Sequence, residues 1–117
     1  MSDRSTDKIE LVASGTATTA STTTTGMPTR RWSEGVLLFY VTAVTGTAPI
    51  MDVTVQIADR DAASYHTHPS FRKPYQITAA GNYALVIDGL ADKMRLSLTV
   101  SGTSPSFTWG VVLVGKN

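Results

Sequence analysis

A chain of 117 residues with 42% hydrophobic side chains has material for one core and one domain. Only 16% of the residues are charged and the formal net charge is +1, which argues against a highly charged disordered chain and offers little attraction for nucleic acid or an anionic membrane. Cysteine is absent, so disulfides, thiolate catalysis and cysteine-ligated zinc are excluded.

The opening MSDRSTDKIELVASG lacks the apolar stretch of a secretory signal. The longest apolar run, residues 36–41, is too short to span a membrane as a helix. Residues 1–8 are polar, and a first strand is expected from Ile9. The tract 16–25 is rich in threonine, whose β-branched side chain suits extended backbone but fills little core volume. It reads either as a solvated loop or as an extended arm or edge strand ordered against a neighbouring subunit. The expected organisation is an arm or edge segment over 1–31 and a β domain over 32–117.

Residues 36–41 are apolar on both parities, as in a strand covered on one side by a second sheet and on the other by another chain or loop. Val53, Val55 and Ile57 alternate with polar or small neighbours, the signature of a strand with one buried face. Pro69 and Pro74 make the following connection a loop, which Tyr65 and Phe71 would pin to the domain. A meander is then expected: a short strand over 75–78, a strand carrying Tyr83, Leu85 and Ile87, and a turn at Asp88-Gly89. Two further strands follow, one with Met94, Leu96 and Leu98 inward and one with Phe107, Trp109, Val111 and Leu113 inward. No stretch has a sustained helical repeat. The segments VTGTAP at 44–49 and VSGTSP at 100–105 repeat at a spacing of 56 residues, and each is expected to close a hairpin. The fold class is therefore all-β, an antiparallel β-sandwich of jelly-roll type.

Chemistry is sparse. His66 and His68 would project to the same side of an extended segment and offer two imidazoles to a metal, but no third ligand is positioned, so both are expected at the surface or in an interface. No serine lies in a Gly-x-Ser-x-Gly elbow, Asp88 and Asp92 read as turn residues, and no glycine-rich phosphate loop is present. Neither an enzyme nor a cofactor is expected. Assembly is better motivated: Thr22, Thr24, Arg30, Arg31, Trp32, Phe39, His66, His68 and Arg72 are the candidate contacts. Trp32 is placed at an interface and Trp109 in the core.

The stretch VTGTAPIMDVTVQI, a proline-containing loop ending in PSF, YQITAAGNYALVI and LSLTVSGTSPSFTWGVVL resemble small structural proteins of tailed-bacteriophage virions. The resemblance spans roughly residues 37–113 and is densest over 102–113. It implies a β-sandwich that works by assembly without a cofactor, with Gly46 and Gly102 in turns and Pro49 and Pro105 at strand entrances. Relatives often carry a Trp or Tyr in an Asp-Gly loop where this chain has DRDAASYH without the glycine. The implied role is capsid decoration or cementing, with a head-tail connector or tail component as the alternative virion part. Implied partners are further copies of the chain, a trimer being favoured, and a major capsid or other virion protein. Its place would be the capsid surface of the virion, after synthesis in the host cytoplasm. A host-surface glycan-binding module is the alternative of a different class, with Trp32, Tyr65 and His68 as its first candidates.

Overall fold

The computed structural model describes residues 6–61 and 64–116. Among the described residues eight strands form one antiparallel sheet that is not closed into a barrel. They are β1 (Thr6–Thr18), β2 (Thr22–Thr23), β3 (Met27–Pro28), β4 (Glu34–Ala58), β5 (His66–Thr67), β6 (Tyr75–Ile77), β7 (Gly81–Asp88) and β8 (Lys93–Lys116). Among the described residues the only helical element is the 3-10 turn Pro69–Phe71. The all-β class and the antiparallel pairing are those expected from the alternating pattern.

The spine of the sheet is the pair β4 and β8, which run antiparallel from Glu34 opposite Lys116 to Ala58 opposite Lys93. Here the expectation of two hairpins fails. The segments 44–49 and 100–105 do not reverse the chain; they lie inside the long strands and oppose one another, Thr45 facing Ser106 and Thr47 facing Thr103. Gly46 and Gly102 have φ of +110° and +113°, and Ala48 and Ser104 have φ of 50° and 49°. The two copies of the motif are thus conformational copies as well, and each kinks its strand. A straight 25-residue strand would be roughly 80 Å long at about 3.3 Å per residue. The molecule's longest dimension is 47 Å, so β4 bends, and its register shifts between Val41 and Ile50 mark where.

The kinks divide the spine into two equivalent halves. Leu37, Phe39 and Val41 correspond to Met94, Leu96 and Leu98, while Met51, Val53 and Val55 correspond to Phe107, Trp109 and Val111; all are buried. The change of spacing from 57 to 56 positions is taken up at Thr42, which the register skips between Val41 and Ala43. Flanking strands repeat too. β1 lies beside the Phe107 half of β8 as β5 and β6 lie beside the Met51 half of β4, and β2 and β3 flank the Met94 half as β7 flanks the Leu37 half. A short sequence echo therefore extends to a pseudo-twofold repeat across the described residues.

All these inward residues belong to one core. Phe39 stacks on Trp109 (ring centroids 6.1 Å apart, 7° between planes) and approaches Tyr75 at 6.0 Å. The first half of β4 thereby meets β6, which pairs with its second half. The Trp109 indole N–H donates to Thr18 Oγ1 at 2.9 Å, which satisfies the buried donor.

Residues 6–18 form an edge strand of the chain's own sheet, pairing with β8 within the same chain. β1 pairs with β8 from Thr6 opposite Lys116 to Thr18 opposite Phe107, and Leu11 is buried in the common core. It starts before Ile9 because backbone pairing continues past the last apolar side chain. The threonine tract is stitched on as well: Thr24 Oγ1 accepts from the Leu96 N–H at 2.8 Å, and Ser21 Oγ accepts from the Val100 N–H at 2.9 Å. Residues 1–5 lie outside the described part.

Candidate interface on the outer sheet face

Three candidate contacts are core residues instead. Phe39 is fully buried, since the odd positions of 36–41 face inward. Trp32, 4% exposed, closes one end of the core: it packs on Gly115, where any Cβ would fall inside the indole. Its loop is held by Thr29, whose N–H and Oγ1 donate to the carbonyls of Asp92 and Ala91 at 2.8 and 2.7 Å. Only its outer ring face is left for Arg31, whose guanidinium sits 4.7 Å from the ring centre. Its position before the regular strands suggests exposure, but the distant Gly115 provides the pocket.

His68 is also buried, 3% exposed. Its extended backbone caps the turn Pro69–Phe71, its Nδ1 accepts from the Ser70 N–H at 3.1 Å, and Nε2–H donates to the Asp88 carbonyl at 2.6 Å. An Nδ1 that accepts fixes the proton on Nε2. The imidazole is a latch between the loop and the end of β7, and both nitrogens are engaged. His66 stays exposed on the edge strand β5, so the pair does not form a joint metal site. The glycan candidates Trp32 and His68 thus lie inside, while Tyr65 covers Gly26 and carries Arg95 over its ring at 4.0 Å.

The other predicted contacts are at the surface but scattered. Thr22 is exposed on β2, Thr24 is half-buried against β8, Arg30 and Arg31 line a shallow hollow with Pro28, and Arg72 is exposed after the 3-10 turn.

What the sheet brings together is a different set. On the half formed by β1, β8, β4 and β7, the outward positions fall into rows set by the register. Val114, Val36 and Val86 make one row and Val112, Leu38 and Ala84 the next; Gly110, Tyr40 and Asn82 make the third. Val86 is 66% exposed and Tyr40 41%. Lys8 and Glu10 border these rows on β1, and the Lys116–Glu34 ion pair, 3.9 Å apart, closes one end. An apolar centre with a mixed-charge rim is the usual anatomy of a protein interface. In the other half the equivalent positions are Asp52, Thr54, Gln56, Arg95, Ser97 and Thr99, a polar face. The same architecture therefore presents one wettable and one apolar surface.

A shallow groove of about 270 Å³ opens beside Tyr40, floored by Gly110 and bounded by Glu10, Val12 and Ser14. Gly110 is required there because β1 crosses over it: an added Cβ would lie 2.7 Å from the Ser14 Cα. The apolar face was partly legible. Besides 36–41, residues 84–87 and 111–114 are also apolar on both parities, and the register sets all three side by side. Among the described residues no cluster of metal-ligating side chains occurs. Comparison with protein-family models, curated proteins and solved structures found no match.

Proposed function

We propose that this chain is a non-enzymatic virion structural protein that decorates or cements a bacteriophage capsid. Its function is contact, and the surface that makes the contact is the apolar outer face around Val36, Leu38, Tyr40 and Val112. That face carries the proposal, because such a patch on the outside of a sheet is costly to leave in water and is matched by no equivalent on the polar half. The resemblance to phage structural proteins supplies the kind of partner, a major capsid protein presenting its own apolar surface. The finer architecture we propose is a jelly-roll-like sandwich, in which the kinks at Gly46 and Gly102 fold the long β4–β8 ribbon so that its two halves share one core. The Phe39–Tyr75 contact and the shortness of the molecule relative to β4 support this arrangement.

The test is binding of the purified chain to capsids that lack it. L38K/V112K places two charges in the centre of the face without touching the core. Binding is expected to weaken by more than about 10-fold while the circular dichroism spectrum and melting stay those of the wild type. Undiminished binding by the folded double variant would remove the face from the contact.

A further inference from the structure

Edges distinguish this sheet as much as faces do. An exposed strand edge is a template for pairing, and proteins ordinarily blunt theirs with lysine, proline, bulges or short length. Three of the edges here are blunted. β1 carries Lys8 and Glu10 and shifts register twice. β2 and β3 are two residues each and include Pro28. β5 and β6 are similarly short and are separated by the 3-10 turn. β7 is different: eight residues, GNYALVID, pair with β4 without a register shift, and the strand contains neither proline nor lysine. It occupies the place that the broken β2 and β3 fill in the other half, so the pseudo-twofold repeat is intact except where this edge is kept whole.

We propose that two copies of the chain pair through β7, antiparallel about a twofold axis at Leu85, to form one continuous sheet. A second copy is the occupant that the strand's own pattern fits. Its single charge, Asp88, then lies opposite the partner's Asn82 and away from the partner's Asp88. On the outer face Val86 meets the partner's Ala84, so the row Val114, Val36, Val86 continues into the partner's Ala84, Leu38 and Val112. On the inner face the half-buried Leu85 meets the partner's Leu85 and gains cover. An axis perpendicular to the sheet puts both apolar faces on the same side, doubling the surface proposed above to bind the capsid. The pairing itself needs no particle, and it makes a dimer in place of the trimer that the family resemblance suggests.

Sedimentation velocity of the full chain across about 1–100 µM tests it directly. The wild type is expected to sediment as a dimer. A84K/V86K sets lysines beside one another across the seam and should shift the boundary to a monomer, with an unchanged β circular dichroism spectrum; V86K alone, at a residue already in water, should weaken the dimer in the same direction. L38K/V112K should remain dimeric, separating this edge from the capsid-binding face. A wild type that is monomeric at the highest concentration would overturn the proposal, as would a trimer. So would a dimer that survives A84K/V86K but is lost in L38K/V112K.

Discussion

Removing residues 1–31 is expected to abolish cooperative folding of this chain. The truncation strips β1, β2 and β3 from β8, takes Leu11 out of the core and removes Thr18, the acceptor of the Trp109 N–H. Loss of a buried core leucine costs about 2–5 kcal/mol, and β8 also forfeits the strand pairing along that edge. The uncovered edge of β8 also exposes the backs of Trp109 and Val111. Against a typical domain stability of about 5–15 kcal/mol, the lost leucine, the lost pairing of three strands and the uncovered core flank together are expected to exhaust the reserve. Thermal unfolding followed by near-ultraviolet circular dichroism checks this: a sigmoidal transition is expected for the full chain and none for the truncated one. A truncated chain that melts cooperatively would show that residues 32–117 fold as an independent unit and that the N-terminal segment is an addition to it.

Replacing Gly46 or Gly102 by alanine should destabilise the protein by about 3 kcal/mol or more at either position. Both glycines have φ near +110°, where an L side chain is strained, and in both the opposing kink leaves no room. A Cβ on Gly46 would lie 2.6 Å from the Ser104 carbonyl oxygen, and one on Gly102 would lie 2.6 Å from that of Ala48. These are backbone atoms in paired strands, so relief requires moving a strand. The pseudo-twofold relation adds a stricter expectation, namely that the two variants lose the same stability within about 1 kcal/mol. Gly89→Ala is the control: its φ is +77°, but nothing lies within 4 Å of the added Cβ, so about 1 kcal/mol of backbone strain is the whole cost. Chemical denaturation of the three variants measures all of these. Equal, small losses at 46, 89 and 102 would mean that the kinks do not interlock.

The strand content of this chain was legible because its inward residues alternate so regularly. Met94, Leu96 and Leu98, and again Phe107, Trp109 and Val111, are buried as their spacing requires. The kinks were legible as interruptions but not as kinks. Gly-Thr-x-Pro signals backbone that departs from regular extension, and a hairpin and a bulged bend need the same dihedral freedom. Whether the chain then reverses is decided by pairing between segments 56 positions apart, which no local pattern encodes.

The burial of Trp32 and His68 is not legible in the local sequence for a related reason. Their burial depends on single distant partners, Gly115 for the indole and the Asp88 carbonyl for the imidazole. For His68 a local signal existed, since a histidine directly before a proline is placed to cap a helical turn begun by that proline. The candidate face was visible as three doubly apolar segments, but only the register revealed that they lie side by side. Val86 and Val112, central to that face, carry no aromatic ring or charge, so nothing in their local sequence marks them as contact residues.

Electron microscopy of the intact virion is the most direct test of the capsid assignment, because it shows both whether the chain is present and which surface it uses. The expected reconstruction places it on the outside of the capsid shell, with Val36, Leu38, Tyr40 and Val112 against the major capsid protein and the polar half, with Thr54 and Ser97, facing solvent. A particle without the chain, or one in which it sits at the neck or tail, would contradict the assignment to the capsid surface. The reverse orientation, with the apolar face in solvent, would contradict the interface.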